Sequence, residues 1–369
     1  MILGYDATTL VGHISGVGYY TQRLLQSLTA GVGADTIERL VVFSNRPVPV
    51  ARNGRVQVCE QGRFPVRSIW MQLELPFLLR RLRPDLVHYT NYLAPVVGGA
   101  PYVVSFHDMT LRLFPQLHTF KKRVLTASLL PTVARGARLV LTPSDSSRQD
   151  VIRLLKVDAG RVRTIPYAAP DEFRPAPVGP EALKEYGVRA PYLLYVGTIE
   201  PRKNLPRTLR AFMRVADRVP DVQFVIVGQS GWDHGEAQHV AATPELRSRV
   251  LFLGYVREAH LPLLYTHATA FIYPSLYEGF GFPIVEAMAC GTPVITSLSS
   301  SMAEIAAGAA ILVDPLDEKS IGASIVALLT NEELRAELRA KGLARVAQYS
   351  WERTARETVE AYREALAAR

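Results

Sequence analysis

The sequence predicts an α/β protein with two Rossmann-like domains, each built on a parallel sheet with helices on both faces. Three observations support this fold class. Short β-branched apolar runs alternate with helical patterns, a second series of the same kind begins near Tyr192, and a proline-rich stretch without periodicity separates the two. The chain's 369 residues are enough for two cores. We expect a first domain at 1–170, a second at 171–350 and a terminal helix at 351–369.

The first series consists of short strands, most of them bounded by Gly, Pro, Asn or Asp. Strands are expected at 1–5, 40–43, 86–89, 102–106, 138–142 and 162–165. Helices are expected at 18–29, 70–83, 120–135 and 144–155. Ser144 directly follows Pro143 and is expected to cap the last of these helices. Because parallel strands end at one edge of their sheet, we expect ligand-binding residues in the loops that follow them.

The second series has the same character. Strands are expected at 192–196, 223–227, 250–252, 270–273, 293–297 and 310–313. Helices are expected at 204–219, 259–266, 283–288, 299–306 and 318–329. The segment 166–178 carries four prolines, which is typical of a linker. From Glu332 the chain has a helical composition, interrupted at Ser350, which is expected to cap a last helix starting at Trp351.

Composition excludes several classes of protein. With 48% apolar and 21% charged residues, the chain is not typical of a disordered, collagen-like or coiled-coil protein. Its two cysteines, Cys59 and Cys290, favour a reducing cytoplasm over a disulfide framework. The sequence shows no secretory signal and no uninterrupted apolar run of about 18 residues, so we expect a cytoplasmic protein without a spanning helix.

Charge is unevenly distributed along the chain. Residues 1–170 hold 21 lysines and arginines against 10 acidic residues, whereas residues 171–369 hold 21 against 24. A basic half attracts the phosphates of lipid headgroups, nucleic acids or charged substrates. A solvated basic surface without a partner explains the bias equally well. The sequence has no recognised nucleic-acid-binding motif, so no nucleic-acid partner is expected.

Two loops after strands of the first half are candidates for ligand contacts. In the loop 11–18, Gly16 lets the backbone approach a phosphate or a sugar, and a helix N-terminus follows. The loop is not the dinucleotide motif G-x-G-x-x-G, because Thr21 stands where the third glycine belongs. The second loop places His107 beside Asp108, a pair that suits hydroxyl binding. A plain turn and a structural histidine are the respective alternatives.

Two adjacent cations follow the first strand of the second half. Arg202 can bind a phosphate in bidentate fashion, and Lys203 adds a compact point charge. Cations at the start of a helix oppose its dipole, and this local conflict favours anion binding over an ordinary basic helix start.

A glycine-rich loop and a helix in the segment 274–291 carry two glutamates separated by seven residues. Glu278 lies in the loop, and Glu286 lies about one turn into a helix that Pro283 begins. Both carboxylates can therefore reach one ligand, together with backbone N–H groups of residues 279–282. The motifs D-x-D, H-E-x-x-H, C-x-x-C and G-x-x-x-x-G-K-S/T are all missing from the sequence. We therefore predict a site without metal, in which cations and helix dipoles neutralise a diphosphate.

Several of these segments resemble glycosyltransferase family 4, which has the GT-B fold. The stretch YEGFGFPIVEAMACGTPVI is similar to the E-x7-E signature of that family, and YVGTIEPRKNLPRTLRAF is similar to its phosphate-binding segment. SGVGYYT, SFHD, IPYAAPDEFRP and SWERTARETVEAYREAL also fit, so the resemblance covers essentially the whole chain. It implies two Rossmann-like domains facing a central cleft, with the last helix crossing back to the first domain.

The resemblance also implies an activity and a set of site residues. The activity is a retaining, metal-independent transfer from a nucleoside-diphosphate sugar by same-face substitution, with no cofactor. Arg202 and Lys203 would hold the diphosphate, Glu278 the donor sugar and Glu286 the ribose, while His107 would contact sugar hydroxyls from the acceptor side. Further donor contacts are implied for Gly16, Gly197, Tyr255, Val256, Phe280, Gly281 and Phe282.

The acceptor and the donor sugar are less tightly constrained. The acceptor is expected to be a glycan or a lipid-linked oligosaccharide. The basic segment 120–125 continues into an apolar run, so it could lie peripherally on the inner face of an anionic membrane, although a packed helix with a basic rim fits as well. SFHDMTLRLFP resembles the mannosyltransferase branch and favours GDP-mannose as donor. The alternatives are a nucleotide-sugar epimerase of the same fold and a non-catalytic nucleotide-sugar binding protein.

Overall fold

The chain divides into two compact units. The computed structural model describes residues 1–12, 14, 16–50, 54–60, 62–119, 126–229, 231 and 234–367. One unit contains Met1–Tyr167 together with the residues from Ser350 onward, and the other contains Ala168–Tyr349. The expected boundaries at residues 170 and 350 lie within a few positions of these divisions.

The first unit is built on a seven-stranded sheet whose neighbouring strands are all parallel. Its strands are β1 (Ile2–Asp6), β2 (Arg39–Phe43), β3 (Val56–Cys59), β4 (Leu86–Tyr89), β5 (Tyr102–Ser105), β6 (Leu139–Thr142) and β7 (Val162–Thr164). They are arranged in the order β3-β2-β1-β4-β5-β6-β7. The order reverses between β1 and β4, so a crevice for ligands is expected at the carboxyl ends of these two strands.

The helices of this unit differ in part from the expectation. Those between residues 1 and 167, within the described ranges, are α1 (Gly16–Thr29), α2 (Arg67–Leu73), α3 (Leu75–Leu82), α4 (Thr110–Leu113), α5 (Ala127–Gly136) and α6 (Asp145–Leu155). The helix predicted at 70–83 is interrupted at Glu74, because Pro76 in the first turn of α3 cannot donate a backbone hydrogen bond. The predicted cap is confirmed, since Ser144 Oγ accepts from the backbone N–H of Ser147 at 3.1 Å. Residues 120–125, the predicted basic segment, lie outside the described residues.

The central strands of the first unit are buried on both faces. Val87, Val104 and Val140 are fully buried and pack with helix residues such as Trp70 and Leu130. Such continuous apolar strands are typical of parallel sheets covered on both sides. The edge strand β3 was not predicted, because its four residues include a single buried one and give a weak apolar signal.

The second unit contains a six-stranded parallel sheet, as predicted. Its strands are β8 (Tyr192–Val196), β9 (Gln223–Val227), β10 (Val250–Gly254), β11 (Ala270–Tyr273), β12 (Val294–Ser297) and β13 (Ile311–Val313). They are arranged in the order β10-β9-β8-β11-β12-β13. The order reverses between β8 and β11, which makes the carboxyl ends of these strands the expected ligand position.

Seven helices surround this sheet among the residues that the structure describes. They are α7 (Leu205–Met213), α8 (His234–Ala241), α9 (Leu261–His267), α10 (Phe282–Ala289), α11 (Ser301–Ala306), α12 (Glu318–Thr330) and α13 (Glu332–Val346). The helix predicted at 204–219 ends at Met213, and a separate 3-10 turn follows at Ala216–Arg218. Helix α8 was not predicted, since its short sequence lacks a clear apolar stripe.

The last helix, α14 (Trp351–Ala367), packs within the first unit. Ser350 Oγ accepts from the backbone N–H of Arg353 at 3.1 Å, which confirms the predicted cap. Tyr362 is fully buried, and Val359 occupies the space where a side chain on Gly33 would lie. No helix in the described ranges is both long and apolar enough to cross a membrane.

Candidate active site

Two cations and a carboxylate meet at the reversal point of the second sheet. Arg202 and Lys203 lie on a 3-10 turn after β8, and Glu278 lies in the loop after β11. Lys203 Nζ is 2.7 Å from Glu278 Oε1, and Arg202 Nη1 is 2.7 Å from Glu278 Oε2. Each carboxylate oxygen therefore has its own cation. All three side chains are largely buried, so these pairs are shielded from solvent.

Asn204 holds the basic turn in place. Its backbone is left-handed, with φ +62°, a conformation that Asn tolerates better than most residues. Its buried side-chain amide donates to the carbonyls of Pro274 at 2.9 Å and Pro315 at 2.7 Å. The sequence predicts a helix from Asn204 with both cations directly before it. The left-handed residue instead separates the basic turn from α7, which starts at Leu205.

A second carboxylate, that of Glu200, contacts Arg202. Arg202 Nη2 donates to Glu200 Oε1 at 2.6 Å, and its Nη1 donates to the carbonyl of Tyr277 at 2.7 Å. The Tyr273 hydroxyl contacts Lys203 Nζ and donates to Glu278 Oε1 at 2.8 Å. Two cations thus face two carboxylates, and the cluster carries no net charge. Carboxylate oxygens of Glu200 and Glu278 therefore occupy the guanidinium of Arg202.

The environment keeps Glu278 ionised. Burial alone would raise its pKa, but the charges of Arg202 and Lys203 and the hydrogen bonds that they donate lower it to about 2. Burial also lowers the pKa of Lys203, and the adjacent Glu278 opposes that effect. The opposed charges therefore stabilise one another in the ionised state.

Glu286, the second glutamate of the spaced pair, has a different environment. It lies on α10 and is partly buried, and Tyr265 donates a hydrogen bond to its Oε2 at 3.1 Å. Burial raises its pKa to about 7, and the charge of Glu258 acts in the same direction. The two glutamates of the motif therefore differ in charge state near neutral pH.

Glycines bring the loops after β8 and β9 into backbone contact. A Cβ atom on Gly228 would collide with the carbonyl oxygen of Gly197, and one on Gly231 would collide with that of Ile199. The backbone N–H of Gly228 also donates to the carbonyl of Gly254 at 2.8 Å, next to the following loop. The sequence analysis missed Gly228 and Gly231, although a V-G-x-x-G pattern after a strand was an available signal.

The remaining predicted donor contacts lie in neighbouring loops of the second unit. Tyr255 is 62% exposed after β10, whereas Val256 is buried. Gly281, with φ +96°, takes the left-handed conformation that starts α10. The buried ring of Phe280 packs edge-on against that of Phe282, with 5.4 Å between their centroids.

Two serines that the sequence analysis did not single out anchor this glycine-rich loop. The backbone N–H of Glu278 donates to Ser300 Oγ at 3.1 Å. Ser301 Oγ donates to the carbonyls of Glu278 at 2.9 Å and Phe280 at 3.1 Å. These contacts hold Glu278 from the start of α11, in addition to its ionic contacts.

In the first unit, both ring nitrogens of His107 have partners. Nε2 lies 2.7 Å from the carbonyl of Thr90, which can only accept, so Nε2 carries the proton. Nδ1 lies 2.7 Å from the Tyr167 hydroxyl and accepts from it, because burial lowers the pKa of His107 and keeps the ring neutral. A ligand contact through either nitrogen requires one of these bonds to break.

Other residues lie at the carboxyl edge of the first sheet. Gly16 is exposed and begins α1, whereas His13 and Ser15 lie outside the described residues. A further pair at the reversal point was not predicted from the sequence: Nη2 of the half-buried Arg67 lies 3.1 Å from Oδ2 of the buried Asp6. In the described part of the chain, no group of three or more His, Cys, Asp or Glu is placed to hold a metal.

The architecture is shared with solved glycosyltransferases and defines the chain as a GT-B fold protein. Sucrose-phosphate synthase from Thermosynechococcus elongatus superposes with a TM-score of 0.81 at 21% identity, over 100% of both chains. WaaG, a glycosyltransferase involved in lipopolysaccharide biosynthesis, gives 0.73 at 14% identity over 98% of this chain and 99% of its own. HepE from Anabaena in complex with UDP and glucose gives 0.74 at 19% identity over the same shares.

Sequence comparison identifies the family. Residues 14–173 match Glycosyltransferase Family 4, and residues 184–345 match Glycosyl transferases group 1. O-antigen chain mannosyltransferase B of Escherichia coli is 31% identical over 95% of this chain and 96% of its own length. O-antigen chain mannosyltransferase RfbU of Salmonella typhimurium is 28% identical over 69% of this chain and 67% of its own. The chain belongs to glycosyltransferase family 4, and the predicted fold class, family and enzyme class are confirmed.

Proposed function

We propose that this glycosyltransferase moves mannose from GDP-mannose to a glycan or lipid-linked acceptor in polysaccharide synthesis. The observation that carries the proposal is the near-full-length similarity to an O-antigen chain mannosyltransferase. The cluster at the reversal point of the second sheet supports it, because a guanidinium and an ammonium in a largely buried site suit a diphosphate.

The donor diphosphate would bind at Arg202 and Lys203. Because the cluster is electrically balanced by Glu200 and Glu278, the phosphate oxygens would replace carboxylate oxygens around the cations. Glu278, released from part of this pairing, would then accept hydrogen bonds from sugar hydroxyls. This exchange would allow one carboxylate both to pair with the cations and to contact the sugar.

Other residues would complete the donor site. Glu286 would accept hydrogen bonds from the ribose, and Tyr255 and Val256 would contact the nucleobase. Backbone groups close to the sugar or phosphates would come from Gly16, Gly197, Phe280, Gly281 and Phe282. His107 would meet sugar hydroxyls after exchanging its bond with Tyr167 or Thr90.

The site favours a metal-independent reaction with retention. The bond from the anomeric carbon to the leaving phosphate oxygen breaks, and the positive charge develops on the sugar while Arg202 and Lys203 stabilise the departing diphosphate. Glu278 would be a weak nucleophile, since it would keep part of its pairing with the cations and accept hydrogen bonds from sugar hydroxyls. The acceptor hydroxyl therefore attacks from the same face, and its proton passes to the leaving phosphate.

The test combines binding with turnover. A ligand that binds only the folded state raises the melting temperature with its concentration. We expect GDP-mannose to stabilise the chain more than UDP sugars do, and to lose this effect in Lys203→Ala. Incubation with a mannose-terminated acceptor should then yield a longer glycan. Stabilisation by UDP sugars alone would exclude the GDP-mannose assignment, and an isomerised free nucleotide sugar would favour the epimerase.

A further inference from the structure

A row of apolar side chains lies on the outer side of α2 and α3. Ile69, Leu73 and Phe77 follow one another at spacings of four residues, and Val66 precedes them by three. Such spacings place side chains on one face of helical structure. Leu73 is 55% exposed and Phe77 is 67% exposed, so this row is open to solvent.

Burial in the core does not account for this row. The opposite side of the same two helices already supplies the core residues Trp70, Met71, Leu75 and Leu79, which are at most 3% exposed. An ordinary surface helix has one apolar stripe and a polar outer face. Apolar residues on both sides therefore indicate that the outer face has a partner of its own.

A neighbouring loop extends the row into a patch. The Gln72 side chain donates to the carbonyl of Ala94 at 2.9 Å and accepts from the backbone N–H of Val96 at 2.9 Å. This pairing holds Val96 and Val97 beside α2, and Val97 is 78% exposed. The apolar face comprises Val66, Ile69, Leu73, Phe77, Val96 and Val97.

Hydrogen bonds hold the segment that leads into the apolar face. Asn45 Nδ2 donates to the carbonyl of Pro65 at 3.0 Å. The backbone N–H of Arg63 donates to Glu74 Oε2 at 2.8 Å. The exposed side chains are therefore presented by an anchored scaffold.

The rim of the apolar face is positively charged. Arg63, Arg80, Arg81 and Arg83 are exposed, and the Arg80 guanidinium lies 5.8 Å from the centre of the Phe77 ring. Glu74 is the single acidic residue in the sequence 63–83, and it is partly buried. A planar apolar surface with anionic groups at its edge would complement this arrangement.

We propose that the apolar face docks on a lipid bilayer that carries anionic headgroups. Leu73 and Phe77 would enter the boundary between headgroups and acyl chains, while the arginines would bind lipid phosphates. A second copy of the chain is disfavoured as occupant, because a symmetric pairing would bring two arginine rims together. The link to a lipid-linked acceptor rests on the proposed function, whereas binding to lipid does not.

Vesicle flotation with the full chain tests this proposal. We expect the wild type to float with vesicles of equal parts phosphatidylglycerol and phosphatidylcholine, less at high salt. The double variant Leu73→Asp/Phe77→Asp should lower the partition coefficient at least about tenfold, since it places charge in the boundary region. Arg80→Gln/Arg81→Gln should also lower the partition coefficient about tenfold. Each arginine close to an anionic surface raises that coefficient by up to roughly fivefold, and we expect less than the full effect from each of the two.

A matched control separates this face from general effects of charge. Val178→Asp/Leu316→Asp makes the same change at side chains that are 56% and 63% exposed in the second unit, and it should leave flotation unchanged. The proposal is overturned if the wild type does not bind anionic vesicles, or if the control loses as much binding as Leu73→Asp/Phe77→Asp. It is also overturned if light scattering shows that the wild type is a dimer and Leu73→Asp/Phe77→Asp a monomer, while the variant still binds vesicles. Stabilisation by GDP-mannose, measured separately, reports on the proposed function alone.

Discussion

Lys203 and Glu278 are 75 positions apart in the chain, yet Nζ of the first lies 2.7 Å from Oε1 of the second. Arg202 contacts the other oxygen of the same carboxylate at 2.7 Å. Glu278 thus stabilises two buried cations that would otherwise repel each other. We propose that donor binding exchanges these carboxylate oxygens for phosphate oxygens around Arg202 and Lys203.

Loss of Lys203 should impair the chemical step. Lys203→Ala removes one of the two charges proposed to stabilise the departing diphosphate, so we expect kcat/KM to fall about 10²–10³-fold. Steady-state kinetics with GDP-mannose measures the effect. Lys341→Ala is the control, because Lys341 is exposed and pairs along its own helix with Glu337. Unchanged turnover in Lys203→Ala would contradict the assigned role.

Removal of the bridging carboxylate should destabilise the fold. Glu278→Gln leaves the buried Lys203 without its paired carboxylate and leaves Arg202 with Glu200 alone, and we expect a loss of about 3 kcal/mol in the free energy of unfolding. The pKa of Glu278 is about 2 in the folded state against an ordinary value of 4.5. Its stabilising contribution is therefore complete above pH 4.5 and is lost as the pH falls towards 2.

Urea denaturation of wild type and Glu278→Gln at several pH values measures this difference. The difference in the free energy of unfolding between the two proteins should be largest near neutral pH and should decrease as the pH falls. A gap that stays constant with pH would show that the carboxylate charge is not the cause.

Glu200 should limit donor affinity. It competes with phosphate for Arg202 from a distance of 2.6 Å, and its side chain is 29% exposed. We expect Glu200→Gln to tighten donor binding about 1.4- to fivefold, which corresponds to the ~0.2–1 kcal/mol typical of ion pairs with solvent access. Calorimetric titration with GDP-mannose measures it. Glu333→Gln, at an exposed position on α13, changes the net charge equally and should leave affinity unchanged.

Glu286 should give stability an opposite pH dependence. Its folded-state pKa is about 7 against 4.5 for the ordinary group, so the unfolded chain releases this proton first as the pH rises. Stability is therefore lost between about pH 4.5 and 7 and is constant above that window. Glu286→Gln keeps a neutral side chain and does not lose this stability. The free energy of unfolding of the variant should therefore increase relative to that of the wild type as the pH rises from about 4.5 to 7. Parallel pH profiles in urea denaturation would refute this.

Tyr362 should be important for the stability of the first unit. Its hydroxyl lies 2.7 Å from Nδ1 of His88, whose Nε2 lies 2.9 Å from Ser105 Oγ. Burial lowers the pKa of His88 to about 3, so the ring is neutral and depends on these partners. Tyr362→Phe leaves a buried nitrogen unsatisfied, and we expect a loss of about 1–3 kcal/mol in unfolding free energy.

The control for this variant is Tyr92→Phe, at a partly buried tyrosine whose ring packs against Phe106. The unfolding free energy of this variant should fall by less than about 0.5 kcal/mol, as is usual for substitutions away from buried polar networks. Equal losses in both variants, measured by chemical denaturation, would rule out a special role for the His88 network.

The sequence alone determined the two parallel sheets, the caps at Ser144 and Ser350, and the family. These features depend on local information. Apolar periodicity reports which strands are buried, a serine at a helix start accepts from a backbone group three residues away, and the E-x7-E motif is contiguous. The site loops could be found because they directly follow recognisable strands.

Only the tertiary structure decided how the site residues are paired. The bridging of Glu278 by both cations depends on β8 and β11 being neighbours, which follows from strand order and not from sequence distance. The partners of His107 also depend on the tertiary structure, since its ring nitrogens contact Thr90 and Tyr167. So does the exposure of Phe77, which lies on α3 after the helix break at Glu74. Local patterns specify which elements form, whereas charge states and exposed faces depend on which distant groups come within a few ångströms.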